Sequence, residues 1–352
     1  MKAWVLDAIN DFHLKEINKP QPGKGEVLVA VKAAGICGSD IPRIYKTGTY
    51  HYPLIPGHEF SGQVVELGEY VDTAWLNKRV GVFPLIPCGK CGPCQQGMYE
   101  LCRQYSYVGS RQAGAFAEYV AVPAKNLIEL PESVSYKAAA MLEPLSVAVH
   151  AARRSGVLNS DKKNSNIAVC GLGTIGMLIS MVLLKQGYKN IFLIGNKDFQ
   201  KEKAVLLGLK EDCFCDVRHT DVKNWLASKA ENGVDVFFEC VGKNETIDWA
   251  IDNAAPGGHI VMVGNPASDV TLERNLYWKI LRNQLVVTGS WNSSFTGEKD
   301  DDWHYAVSLL SDKGFLIDKL ITHKYSLDDL ENGMMIMRDK SQEYIKIMAI
   351  WE

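Results

Sequence analysis

The feature that most constrains this chain is an uncharged run of eighteen residues, Ile167 to Leu184, interrupted by Gly171, Gly173 and Gly176. Length alone would let such a run cross a membrane. The glycines argue against that. The run opens on the strand-like Ile167-Ala168-Val169, so it reads as a buried strand, a glycine turn and a helix. Its turn, Gly171-Leu172-Gly173-Thr174-Ile175-Gly176, has the pattern G-x-G-x-x-G. The first glycine permits the tight turn, the second lets the backbone approach a pyrophosphate, and the third lets the helix pack on the strand. The helix N-terminus then faces the anion. In this context the motif predicts dinucleotide binding through Gly171, Gly173, Thr174, Ile175 and Gly176.

The surrounding rhythm agrees. From about residue 150, strands are expected near 167–170, 191–195, 235–239, 259–263 and 285–289, separated by helical stretches. That alternation specifies a parallel sheet covered by helices. Residues 1–130 differ. They carry short β-like runs at 27–31, 62–65, 79–82 and 116–120, broken by Gly and Pro, as in a barrel or sandwich. After about 290 the chain is less regular, and the tail Lys346-Ile347-Met348-Ala349-Ile350 is strand-like. A chain of 352 residues exceeds one comfortable core, so two domains are expected.

About twenty residues beyond the glycine turn, a carboxylate commonly binds the adenosine ribose of NAD. Here Gly195, Asn196 and Lys197 follow Ile194. Without the acid, nothing repels a 2′-phosphate, and Lys197 can pair with it. NADP(H) is therefore expected to be favoured over NAD(H). The alternative is that Lys197 is a solvated lysine and Asp198 serves the ribose.

Four of the nine cysteines lie within fifteen residues. Cys88, Cys91, Cys94 and Cys102 have the spacing C-x2-C-x2-C-x7-C, with Gly89, Gly92, Pro93 and Gly97 between them to turn the chain. Four thiolates close a tetrahedral zinc site with no open position, which makes it structural. An iron–sulfur cluster competes, but its motif wants a shorter last spacing and a following proline. The N-terminus has no apolar stretch of a secretory signal, so disulfides are not expected and a cytoplasmic location is. The formal net charge of −3 and the lack of a basic stripe leave no call for nucleic acid or anionic membrane as partner.

Three further places carry metal-ligand chemistry: Cys37 in GICGSD, His58 and Glu59 in PGHEF, and Glu143 in LEPL. A catalytic zinc uses few protein ligands and keeps a place for a substrate oxygen. Alone, each has a bland reading: a core cysteine, a hydrogen-bonded turn, a helix start. Spacing does not assemble them.

Taken in order, GICGSD, PGHEFSG, the four-cysteine lobe, GAFAEY, EPLSV and GLGTIG resemble the zinc-dependent medium-chain dehydrogenase/reductase family over essentially the whole chain. Glu143 in EPLSV looks like the sorbitol dehydrogenase branch. The resemblance implies a GroES-like β-barrel catalytic domain, residues 1–148 and 290–352, with a structural-zinc lobe at 86–103. It implies a Rossmann doubly wound parallel-sheet domain at 149–289. It also implies two Zn2+ per chain, one catalytic and one structural. Cys37, His58 and Glu143 would surround the catalytic ion, with Glu59 behind them or exchanging in. Ser39 would sit beside the substrate hydroxyl as the proton-relay group. Some relatives carry a relay histidine three residues after that serine. Here the position is Pro42, which leaves the outer proton path to water or cofactor ribose.

A closer likeness in GSDIPRIYKTG, VGSRQAGAFAEY and KILRNQLVVTGSW implies a phosphorylated polyol as substrate. Arg43 stands where the sorbitol branch has an aromatic residue, and a guanidinium suits a phosphate or several hydroxyls. Arg111, Lys46 and Trp291 are further candidates. A free-polyol or simple secondary-alcohol dehydrogenase is the alternative within the class, and a zinc-free cofactor-binding scaffold the alternative outside it. The family's members are commonly homodimers or homotetramers, and the strand before Gly289 offers an interface edge.

Overall fold

The computed structural model describes residues 1–351 and divides into two compact units, Met1–Ser146 with Ser293–Glu352, and Val147–Asn292. No helix among the described residues is long and apolar enough to cross a membrane.

The first unit is built on the strand Glu26–Gly35, whose Val27, Leu28 and Val29 are fully buried. An alternating strand would expose one face. This one buries both, because it sits inside a curled sheet of seven strands. On one side it pairs antiparallel with Glu59–Leu67, and then come Arg79–Val82 and Leu127–Glu129. On the other side Lys346–Ile350 pairs antiparallel with it, Met348 opposite Gly35. Tyr119–Pro123 also pairs with it, at the Glu26 end. The C-terminal tail thus completes the GroES-like barrel begun near the N-terminus. Leu6, Val29, Val64, Phe116, Leu330 and Ile347 meet in one core, each large apolar side chain stabilising it by about 1.5–3 kcal/mol. The expected strand at 116–120 begins later, at Tyr119. Phe116 and Ala117 instead meet the N-terminal strand: the Trp4 N–H donates to the Phe116 carbonyl at 2.8 Å, and Ala3 bridges Ala117.

The second unit is a six-stranded parallel sheet in the order Phe214–Asp216, Asn190–Gly195, Asn166–Cys170, Val234–Glu239, Ala254–Met262, Val286–Gly289. The order reverses beside Asn166–Cys170, the doubly wound Rossmann arrangement whose crevice takes ligands. Ile167, Ala168 and Val169 of that central strand are completely buried. The uncharged run resolves into this strand, a glycine turn, and the helix Thr174–Lys185. Phe214–Asp216 was not among the expected strands. It is three residues long and pairs only with Asn190–Gly195, too short to show a period of two.

Candidate active site

The strand Glu26–Gly35 ends two residues before Cys37, and the strand Glu59–Leu67 begins one residue after His58. Their register sets Gly35 opposite Glu59, so both polar termini emerge at the same end of the barrel. As a result one ligand atom each from Cys37, His58 and Glu59 lie within 4.8 Å of one another. Asp40, fully buried at the start of the short helix Asp40–Tyr45, ties this corner together. It accepts the Cys37 N–H at 3.0 Å and Arg43 Nη1 at 2.7 Å, and lies 3.6 Å from His58 Nδ1.

His58 Nδ1 is buried without a hydrogen-bond partner. Burial alone would depress the imidazole's pKa. The Asp40 carboxylate and the Cys37 thiol outweigh that and carry it up to about 10. A buried orphan nitrogen among a thiol and carboxylates is a surrounding that wants a cation, and Cys, His and Glu are suitable zinc ligands. The residues therefore fit a metal ion. Glu143 lies outside the group of three. Its Oε1 accepts from Tyr107 Oη at 3.2 Å, and burial, aided by the Glu59 charge, raises its carboxyl to about 7. The Tyr107 ring stands edge-on to His58, with centroids 5.7 Å apart.

Ser39 Oγ donates to Cys37 Sγ at 3.3 Å and opens onto a cavity of about 350 Å³. Arg43, Thr47, Gly48, Thr49 and Tyr50 line the rest of it. Arg43 points one nitrogen at Asp40 and is 18% exposed toward this space. Arg111 is held differently. It lies between the Tyr50 and Tyr105 rings, at 4.4 and 4.2 Å from their centroids, and donates to the Tyr105 carbonyl. Its Nη2 also donates to Tyr50 Oη at 3.2 Å. Lys46 ends the short helix, and its N–H donates to the Pro42 carbonyl.

The cysteine lobe hangs from a small hairpin, Leu85–Ile86 with Ser106–Tyr107. The four sulfurs lie within 4.8 Å of one another, with pairs at 3.5 Å (Cys91 and Cys94), 3.9 Å (Cys91 and Cys102) and 4.0 Å (Cys88 and Cys94). A tetrahedron with metal–sulfur bonds of about 2.3 Å has edges of about 3.8 Å. All four cysteines are free of disulfides, and their convergence fits a zinc ion. Backbone N–H groups of Arg103 and Cys94 lower the Cys91 thiol to about 6.

In the second unit, Gly173 precedes the helix Thr174–Lys185, and no side chain caps that helix. A helix N-terminus of this kind favours an anion. A Cβ on Gly173 would meet nothing within 4 Å, so the space before it is open. A Cβ on Gly176 would lie 2.0 Å from the Gly171 carbonyl oxygen, so that glycine permits the close packing of helix on turn. The residues fit a dinucleotide. At the end of the next strand, the Asn196 N–H donates to Gln200 Oε1, and Lys197 precedes the helix Asp198–Leu206. Asp198 accepts from Arg218 Nη2 at 2.6 Å, and the same guanidinium grips Asp216. Trp291 belongs to this unit and is 57% exposed.

Two family descriptions match, "Alcohol dehydrogenase GroES-like domain" over residues 23–132 and "Glucose dehydrogenase C-terminus" over 136–348. The chain belongs to the zinc-dependent medium-chain dehydrogenase/reductase family. It is 32% identical to galactitol 1-phosphate 5-dehydrogenase of Escherichia coli (strain K12), over 95% of each chain. It is 33% identical to the sorbitol dehydrogenase of Halalkalibacterium halodurans, over 99% of this chain and 98% of that one. The crystal structure of the Escherichia coli galactitol-1-phosphate dehydrogenase superposes with a TM-score of 0.90 at 29% identity and full coverage of both chains. Within this dehydrogenase family the chain is an oxidoreductase of the alcohol or polyol kind.

Four residues of this family member escaped the sequence reading: Asp40, Tyr107, Arg218 and Lys346. Asp40 was visible in GICGSD without a role. The others act only through register. Lys346 gave a faint signal, as a cation opening an apolar strand.

Proposed function

We propose that this chain is a zinc-dependent dehydrogenase interconverting a secondary alcohol of a polyol phosphate, such as galactitol 1-phosphate, and the ketose phosphate. The observation that carries it is the convergence of Cys37, His58 and Glu59 next to Ser39, at the mouth of a cavity that also holds Arg43. The unit Met1–Ser146 with Ser293–Glu352 is its catalytic domain. Cys37, His58 and Glu143 would hold one ion, with Glu59 adjacent, and Cys88, Cys91, Cys94 and Cys102 the other. A zinc ion in the first site supplies Lewis acidity toward an alcohol or ketone oxygen, and a bound nicotinamide accepts or supplies the hydride.

The chain's own groups do the rest. Ser39 Oγ takes the proton of the substrate hydroxyl and passes it outward. Pro42 offers no further relay, so water or cofactor ribose carries it on. Arg43, steadied by Asp40, pairs with the phosphate, and the hydroxyls of Thr47, Thr49 and Tyr50 meet those of the polyol. The hydroxyl lining also suits a free polyol of the sorbitol kind, which is the second reading. NADP(H) is favoured over NAD(H). Gly195, Asn196 and Lys197 present no acid to a 2′-phosphate, and the carboxylates beside them, Asp198 and Asp216, are both paired with Arg218.

A screen of phosphorylated and free sugar alcohols with both cofactors tests this. Turnover of a polyol phosphate with NADP is the expected result. In the same screen Arg43→Ala should raise KM for the phosphorylated substrate about tenfold or more over its effect on the free polyol. A charge-assisted bond is worth about 1.5–3 kcal/mol. Equal effects would remove phosphate recognition from the reading, and a strong preference for NAD would remove NADP.

The partner we propose is a second copy of the chain. Val286–Gly289 is an edge strand, and Val286 and Val287 are 49% and 46% exposed on it. Tyr277, Trp278 and Leu281 of the helix Arg274–Arg282 are exposed too. An open apolar edge of this size suits pairing. Light scattering should give a homodimer or homotetramer, and Val287→Lys should shift it toward monomer. A monomeric wild-type chain would rule this out.

A further inference from the structure

We propose that the protein carries a second small-molecule site, an aromatic cavity beside the cysteine lobe that takes a single-ring aromatic acid bearing a hydrogen-bond donor. The proposal does not depend on the substrate reading above. The cavity shares no residue with the one that holds Ser39 and Arg43.

The cavity has a volume of about 180 Å³, and the rings of Phe83, Tyr99 and Phe295 are among its walls. A space of about 150 Å³ already holds benzene, so this one takes a six-membered ring with small substituents. Two of the wall rings are fixed. Phe83 and Phe295 have centroids 5.3 Å apart, and Trp303 packs edge-on against both, at 5.5 and 5.9 Å. Trp303 is itself 1% exposed and donates from Nε1 to Ser293 Oγ at 3.0 Å. The rings are therefore in place before a ligand arrives, and binding has little left to order. Ring faces and edges held this way select another aromatic ring.

The polar groups define the rest of the ligand. Asn126 lines the same cavity and is 2% exposed. Its Nδ2 donates to two carbonyls, those of Phe83 and Leu85, each at 2.8 Å. Both amide protons are thus used, the side chain's orientation is fixed, and Oδ1 is left without a partner among the described residues. A buried acceptor in that state bears a desolvation cost, which an O–H or N–H of a ligand recovers. Lys125, next in the chain, is exposed at the cavity and pairs with no carboxylate among the described residues. Its ammonium offers a partner to an acid at the mouth. A ring between fixed rings, a donor inward to Asn126 and a carboxylate outward to Lys125 describe a hydroxybenzoate or aminobenzoate. Such a ligand also bridges separate segments. Tyr99 belongs to the cysteine lobe, and Phe295 to the stretch before the helix Asp302–Leu310.

The test titrates the zinc-loaded full-length protein with 4-hydroxybenzoate by calorimetry. One site per chain with a Kd of about 1 mM or tighter is expected, and a rise of about 3–5 °C in the unfolding midpoint at about ten times Kd. Benzoate lacks the inward donor and 4-hydroxybenzyl alcohol lacks the charge, and each should bind about tenfold more weakly. Lys125→Ala should weaken 4-hydroxybenzoate about tenfold and leave 4-hydroxybenzyl alcohol unchanged. Thr296→Trp, which fills the cavity from its exposed rim, should abolish binding of all three while the circular dichroism spectrum stays that of the wild type. Absence of saturable binding by the wild type up to about 20 mM overturns the proposal, as does binding that survives Thr296→Trp. A Lys125→Ala protein that weakens both probes equally, or neither, also overturns it, and this comparison decides where the tryptophan variant does not fold. Binding that emerges only on dilution to a monomer would mean that a second copy of the chain fills the cavity, which overturns the small-molecule occupant.

Discussion

Replacing His58 by alanine is expected to lower turnover by about a thousandfold or more and to reduce bound zinc from about two ions per chain to about one. Lewis-acid stabilisation of a developing oxygen charge is worth several kcal/mol, and about 4 kcal/mol is a thousandfold in rate. His58 earns this weight from its place. It is 4% exposed, its Nδ1 has no protein partner, and Cys37, Asp40 and Glu143 surround it with negative or polarizable groups. Alanine leaves those groups without the nitrogen that completes a ligand set, and the ion is lost rather than displaced. Dinucleotide binding is the control. The glycine turn and the helix Thr174–Lys185 contribute no side chain to the Cys37, His58 and Glu59 group, so dinucleotide affinity should stay within about twofold, the scatter expected of sites that share no partners. Metal content by elemental analysis, turnover, and cofactor titration by fluorescence check the three parts. A variant that keeps both ions and wild-type turnover would falsify the assignment of His58.

Much of this was legible before any coordinates. The glycine turn carries its own strand and helix, because G-x-G-x-x-G between an apolar strand and an apolar helix has few other uses. The cysteine lobe was legible for the same reason: its ligands lie within fifteen residues, and local turns alone bring them together. What stayed hidden depends on pairing between distant segments. Lys346 reaches the Ile36 carbonyl across 310 residues of sequence, and only the register of the last strand against Glu26–Gly35 places it there. Tyr107 reads as an ordinary aromatic until the small hairpin turns its hydroxyl toward Glu143. Arg218 lies just past a strand too short to be seen, two residues beyond the Asp216 that pairs with Gly195. Cys37, His58 and Glu59 fall between these cases. Their chemistry was visible singly, while their convergence came from strand register and, beforehand, only from family resemblance.

The second large effect concerns the cysteine lobe, where Cys94→Ser should remove the other zinc ion and lower the unfolding midpoint by about 10 °C. Cys94 is buried within the four-residue helix Gly92–Gln95, a length that cannot sustain itself in water. Without an ion, burial and the neighbouring thiols push its thiol up to about 12, so the lobe resists gathering four thiolates unless a cation holds them. Serine supplies no thiolate, and three remaining sulfurs bind zinc too weakly to close the loop. A loss of about 3–5 kcal/mol in a unit of this size shifts the midpoint by roughly 2–4 °C per kcal/mol. Activity should fall too, though less than in His58→Ala, because the same hairpin that carries the lobe places Tyr107 on Glu143 at 3.2 Å. Proteolysis within residues 88–102 should become rapid in the variant and, equally, in wild type stripped of zinc. Calorimetry, elemental analysis and limited proteolysis check these together. A serine variant with two ions per chain and an unchanged midpoint would show that the lobe's fold does not depend on its metal.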